Sequence, residues 1–285
     1  MRYTPILALA VCALTVAGCG LRGDKADVDR ALKDLNVVDE SNLNGLMLAH
    51  SDPNEAVAYF RRATSEDPKR MDLQRGLAQA LIRAKQPNQA APIFARVAES
   101  RDGTEEDRIA LADALIRAGD WAAAEVQLDK VPPKVQTFKR YKLEAMIADS
   151  NKDWSASDSF YQTAVGLTQT PAGTFNNWGY SKLTRGDYTE AERLFAEALT
   201  HDTGLFTAKN NMALARAAQG NYELPVVPMN QEERALLLHT LALTAIKKGD
   251  VATGEGLLRD ALDTHPQHFE AAQRALDALA SNVTH

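Results

Sequence analysis

The chain has 285 residues, of which 45% are apolar and 25% charged, with 16 Gly and 11 Pro. These proportions belong to a folded protein and exclude a disordered, collagen-like or disulfide-rich chain. Its 38 Asp and Glu outnumber 32 Lys and Arg, for a formal charge of -6. No basic run is long enough for a nucleic-acid patch, so nucleic acid is not an expected partner.

The first element is a targeting segment. Residues 6–16 form an apolar stretch of about 11 residues, too short for the ~20 that span a bilayer but suited to the apolar region of a signal peptide. Both cysteines, Cys12 and Cys19, lie in this part of the chain, so the body can form neither a disulfide nor a thiolate metal site. Val16-Ala17-Gly18-Cys19 resembles the bacterial lipobox. The resemblance implies that residues 1–18 are a lipoprotein signal peptide and that Cys19 becomes the acylated amino terminus, with residues 19–27 as a tether. A plain secretory peptide with a chance cysteine is the alternative, weakened by the small residues before Cys19. Gly20 stands where an Asp would resemble inner-membrane retention, so the expected location is the periplasmic face of the outer membrane, with contact to the membrane through the lipid anchor.

From residue 28 onward the signals are helical. Val28, Ala31, Leu32 and Leu35 have i, i+3, i+4, i+7 spacing, which predicts a leading helix. A period of 34 then governs the chain. Repeats start near residues 37, 71, 105, 138, 172 and 206, with a last start at 235 after only 29 residues. Position 8 of each repeat is small (Ala78, Ala112, Ala145, Gly179, Ala213, Ala242), as is position 20 (Ala56, Ala90, Ala124, Ser157, Ala191), which lets antiparallel helices approach closely. Position 24 is bulky: Phe60, Phe94, Leu128, Tyr161, Phe195 and Leu258. Turns recur as Gly119-Asp120-Trp121, Lys152-Asp153-Trp154, Gly186-Asp187-Tyr188, Gly220-Asn221-Tyr222 and Gly249-Asp250-Val251.

The sixth repeat departs from this pattern. A first helix over 208–219 is expected, but Leu224-Pro225-Val226-Val227-Pro228 replaces its partner, because two close prolines oppose a helix. Asn230 and Glu233 then form a capping-box pattern that opens a helix over about 231–248. A final amphipathic stretch at 268–280 reads as a capping helix.

Residues 175–202, FNNWGYSKLTRGDYTEAERLFAEALTHD, resemble a tetratricopeptide repeat (TPR) almost position for position. The resemblance implies an all-α fold over 28–285, a TPR solenoid of antiparallel helix pairs in a right-handed superhelix. No HExxH, GxSxG, P-loop, GxGxxG or CxxC occurs, so neither an enzyme nor a cofactor or small-molecule substrate is expected. His265 and His268, with Asp263 nearby, lack a third ligand, and no metal site is expected. Trp121, Trp154 and Trp178 occupy repeat columns and read as core.

A solenoid of this kind offers the concave surface of its first helices. In the TPR family positions 2, 5, 6, 9 and 13 face that groove. Here they include Arg75, Gln79, Asp113, Asn176 and Asn210, and the candidate peptide-binding residues Arg83, Arg117, Lys142, Asn177, Tyr180 and Asn211. Asn177 and Asn211 share position 6 in adjacent repeats and could hydrogen-bond a peptide backbone; the alternative is that they only solvate the face. Lys142 and Asn177 resemble part of the Lys/Asn clamp that grips a C-terminal carboxylate in some TPR proteins. Met146, Thr207 and Asn211 depart from the rest of it, so a chaperone-tail clamp is not expected.

The start of the 175–202 segment, FNNWGYSKLTRGDY, and YELPVVPMNQEERALLLHTLALTAIKKGD, running on to THPQHFEAA, resemble the TadD family, lipoproteins of tight-adherence (Flp) pilus assembly. This resemblance covers about residues 20–280. It implies a non-enzymatic, outer-membrane-tethered scaffold with pilotin-like help to the secretin or other pilus components. The competing expectations are a general envelope adaptor that recruits cell-wall enzymes or outer-membrane assembly machinery, and an enzyme with an unfamiliar site.

Overall fold

The structure, a computed structural model, describes residues 43–283. Cys12, Cys19, the expected signal peptide and tether, and the leading helix at Val28 to Leu35 lie outside these residues. Among the described residues all regular structure is helical: α1 (43–50), α2 (Pro53–Glu66), α3 (Met71–Arg83), α4 (Pro87–Glu99), α5 (Glu105–Ala118), α6 (Trp121–Asp129), α7 (Phe138–Ser150), α8 (Trp154–Gly166), α9 (Ala172–Thr184), α10 (Tyr188–His201), α11 (Phe206–Ala218), α12 (Gln231–Lys247), α13 (Val251–Thr264) and α14 (Glu270–Val283). No described helix is long and apolar enough to cross a membrane.

The turn chemistry explains the helix boundaries. Gly119, Gly186, Gly220 and Gly249 leave their helices with φ between 83° and 90°, the left-handed region where a Cβ is unwelcome. The Asp that follows three of them caps the next helix, accepting a backbone N–H at Ala123 (Asp120), Glu190 (Asp187) and Thr253 (Asp250). Such a cap contributes about 0.5–2 kcal/mol. Lys85 (φ 57°) and Lys152 (φ 60°) hold the same left-handed position in their own repeats without the glycine's freedom.

Helices pack as antiparallel neighbours, α3 on α4, α5 on α6, α7 on α8 and α9 on α10, through the columns of small residues. Ala56, Ala78, Ala90, Ala112, Ala124, Ala145, Ala191, Ala213 and Ala242 have no exposed surface. At position 8 of the fifth repeat the approach is closer still. A Cβ on Gly179 would lie 2.7 Å from the Phe195 ring. Phe60, Tyr161, Phe195 and Leu258 fill the opposing spaces and are almost wholly buried.

Two places break the regularity. α6 is only nine residues long and ends ahead of Pro132-Pro133. After α11 the chain runs without a helix until Asn230, whose side chain forms a reciprocal capping box with Glu233. Tyr222, Leu224 and Met229 from this loop pack against Ala213, Ala217, Leu237 and Leu241, filling the space that a second helix would occupy. Lys209, with its side chain only 3% exposed, donates to both carboxylate oxygens of Glu233 at 3.1 Å and ties α11 to α12 across the loop. α14 and Phe269 just before it cover the last face: Phe269, Ala272, Ala275, Leu276 and Leu279 meet Leu238, Ala242 and Leu258.

Candidate binding groove

One groove runs across the first helices in three joined stretches. The first, about 220 Å³, lies among Leu48 of α1, Gln79 and Arg83 of α3, Asp113 of α5 and Lys139 of α7. Asp113 and Lys139 also line the second, about 640 Å³, with Arg117, Trp121, Lys142, Met146 and Asn177. Trp121, Met146 and Asn177 carry on into the third, about 650 Å³, where Trp154, Asn176, Tyr180, Asn210 and Asn211 complete the wall. All six candidate residues therefore line this groove, but the fold already uses some of them.

Arg83 donates to the carbonyls of Met47 (3.2 Å) and Ser51 (2.8 Å), satisfying acceptors at the end of α1. Asn211 Nδ2 donates to Asn176 Oδ1 at 3.1 Å, and Asn210 Oδ1 accepts from Thr240 at 2.8 Å, so three of the four asparagines serve as links between repeats. Among the described residues Asn177 makes only a 4.0 Å contact to the Met146 sulfur, which leaves its side-chain carbonyl oxygen open. Tyr180 is 53% exposed, and among the described residues its hydroxyl has no hydrogen-bond partner.

The charged stretch lies between α5 and α7. Asp113 takes Arg117 Nε on one oxygen (2.7 Å) and Lys139 Nζ on the other (3.1 Å). Lys142 is half-buried, forms no ion pair among the described residues, and holds its ammonium 5.9 Å from the centre of the Phe138 ring. Burial pushes its pKa below the usual lysine range; Asp113 opposes that shift, and Arg117 and Lys139 reinforce it.

A second carboxylate, Asp149 on α7, sits under the third stretch and is fully engaged. It accepts from Ser157 and Ser181 on one oxygen and from Tyr161 (3.0 Å) on the other. Burial, with the Asp149 charge and hydrogen bond, pushes the Tyr161 phenol upward. This arrangement is a hydrogen-bonded junction of α7, α8 and α9.

The tryptophans require a correction. Trp121, Trp154 and Trp178 are half-buried, and Trp121 and Trp154 line the groove. Trp154 carries the Arg185 guanidinium 5.5 Å from its ring centre, and Trp178 Nε1 donates to Asp158 at 2.6 Å. Each indole is too large for its repeat column, and the overhanging part becomes groove wall or hydrogen-bond donor. Lys139 was also missed as a groove residue, although it occupies position 2 of its repeat, a groove column. His265 stacks on Phe269, with ring centres 4.9 Å apart, and its Nδ1 lies 2.9 Å from the Gln267 carbonyl oxygen. Among the described residues no group of three His, Cys, Asp or Glu is placed to hold a metal.

Family models for the tetratricopeptide repeat match residues 47–107 and 176–224. The chain carries tetratricopeptide repeats. The same TPR architecture is found in the Cut9–Hcn1 hetero-tetramer of the APC/C, with a TM-score of 0.59 at 13% identity over 82% of this chain and 47% of that one. This chain thus spans about half the length of that protein. A TPR protein from Parabacteroides merdae is similar at TM-score 0.53 and 11% identity, over 86% of this chain and 95% of its own. Human IFIT1, in a dimer with PPP-AAAA, gives 0.55 at 13%, over 80% and 58%. At these identities the likeness is one of fold. No curated protein matches the sequence. TPR arrays are protein-interaction scaffolds, a typically non-catalytic use of the fold, and protein partners are what these repeats indicate.

Proposed function

We propose that this protein is a non-enzymatic TPR scaffold, lipid-anchored through Cys19 at the periplasmic face of the outer membrane. Its concave groove binds an extended segment of a protein partner during assembly of a tight-adherence pilus. The partner is the secretin or another pilus component. The observation that carries the binding role is the unbroken groove across α3, α5, α7, α9 and α11, in which Lys142, Asn177 and Tyr180 keep polar groups that the fold does not use. The lipobox and the stretches resembling TadD support the location and the partner class.

Site-specific photocrosslinking in living cells tests this reading. A photoreactive phenylalanine at position 180 is expected to capture a pilus-assembly component, identified by mass spectrometry. The same group at Val126, which is 51% exposed on the second helix α6, is expected to capture none. Capture of the same protein at both positions, or of a cell-wall enzyme at 180, overturns the reading.

A further inference from the structure

Resting on that reading of the groove, we infer that its α5/α7 stretch receives the carboxylate of an internal Asp or Glu in the partner segment, with Lys142 as the contacting ammonium and Lys139 and Arg117 beside it. Three cations and one anion line this part of the groove: Arg117, Lys139 and Lys142 against Asp113. The local excess is therefore two positive charges, in a chain whose formal charge is -6. Asp113 pairs with Arg117 on one oxygen and with Lys139 on the other, and acts on Lys142 only through space, without an ion pair among the described residues.

An ammonium held partly out of water without a counter-ion is costly, and a fold that tolerates one usually gains by supplying it with an anion. The neighbours suit that role. Arg117 spends only its Nε on Asp113 and keeps its other guanidinium donors, and Lys139 has three donors of which one is used. Ile116, Trp121, Leu143 and Met146 form apolar walls that lower the local dielectric and strengthen the attraction. The depressed basicity of Lys142 agrees with a cation awaiting its partner.

Position in the groove decides the source of the carboxylate. The cationic stretch lies between two others, one toward Gln79 and Arg83 and one toward Asn176 and Tyr180. A bound chain continues past it in both directions, so the acid is a side chain of a through-running segment and not a chain terminus.

The test uses the full-length protein, immobilised, and two libraries of acetylated, amidated nonapeptides that are random except for a central Glu or a central Gln. The Glu library is expected to be retained several-fold more than the Gln library. Lys142→Met is expected to bring the two to the same level. Asp113→Asn releases Arg117 and Lys139 and is expected to raise retention of the Glu library several-fold, a gain that misfolding cannot produce. Equal retention of both libraries by the unaltered protein overturns the acidic preference and leaves the groove reading standing. The same holds if the Gln library made with a free C-terminal carboxylate is retained as strongly as the amidated Glu library, or if Lys142→Met and Asp113→Asn change nothing. Retention of neither library overturns both readings.

Discussion

Arg75 grips Asp107 with both sides of its fork, Nε to Oδ1 at 2.7 Å and Nη2 to Oδ2 at 2.8 Å. The pair joins α3 of one repeat to α5 of the next. Asp107 also accepts the Thr104 backbone N–H at 2.9 Å, closing the capping box of α5. One carboxylate thus serves a helix end and a repeat junction, and Arg75, which occupies a groove column in the sequence, is withdrawn from binding. Its geometry is bidentate and Asp107 is almost wholly buried, so the pair exceeds the surface norm of about 0–1 kcal/mol. Asp107→Ala is expected to cost about 2–4 kcal/mol in urea unfolding, from a lost cap and a cation left without its anion. Adding Arg75→Ala to Asp107→Ala is expected to cost less than the sum of the two single changes; strict additivity would show that the two residues are uncoupled.

Acid should weaken the fold through three carboxylates. Burial pushes the pKa of Asp107, Asp158 and Glu233 upward, but hydrogen bonds and charges outweigh it and hold each below the usual carboxylate range. They come from Arg75 and Thr104 for Asp107, from Arg185, Trp178 and Lys182 for Asp158, and from the Asn230 backbone and Lys209 for Glu233. A folded-state pKa below the unfolded one means the folded state favours the ionised form. The stabilisation is fully present above the unfolded carboxylate pKa of about 4 and is lost as pH falls through the folded values. The urea midpoint is expected to stay nearly level from pH 7 to about 5 and to fall below about 4. Asp158→Asn should lower the midpoint at pH 7 and flatten the acid limb. A midpoint that rises on acidification would contradict this assignment.

The small-residue columns give a paired test. Ala191 has no exposed surface and packs with Phe195 and Ala215, while Ala196, five residues on in the same helix, is half-buried. Leucine at 191 overfills a close-packed contact and is expected to cost about 1–3 kcal/mol. Leucine at 196 is expected to change stability by less than about 0.5 kcal/mol. Equal melting temperatures for the two variants would refute the register.

The register was readable because its determinants are local. Of the repeat starts read from sequence, Met71, Glu105, Phe138, Ala172 and Phe206 each open a helix, Ala235 falls four residues inside α12 and Val37 lies outside the described residues; the left-handed glycine and capping Asp lie within a few residues of the ends they set. The fate of the groove side chains was not readable. A column says which way Arg83 or Asn211 points, but their partners, Met47, Ser51 and Asn176, are more than 30 residues away. A long side chain chooses among acceptors that only the superhelix brings near. The broken repeat was half legible: Pro225 and Pro228 announced the missing helix, whereas the use of Tyr222, Leu224 and Met229 to fill its place depends on the spacing of α11 and α12.

The last prediction concerns the cell. If the groove works on a pilus component at the outer membrane, then scaffold and anchor are separately necessary and can be separated experimentally. The scaffold gives a surface with open polar groups at Lys142, Asn177 and Tyr180. The anchor, in the lipobox reading of Cys19, adds acyl chains that each contribute about 0.8 kcal/mol per buried CH₂; two such chains already hold a protein stably on a membrane. A deletion strain is expected to lose surface pili and secretin multimers, and the unaltered gene to restore both. Cys19→Ser leaves residues 43–283 untouched, so the folded scaffold should accumulate off the membrane and restore assembly only in part. Lys142→Met should do the reverse, with a normally anchored protein and weak partner recovery. Intact pili and secretin multimers in the deletion strain, together with altered cell shape or outer-membrane protein levels, would instead make this protein a general envelope adaptor.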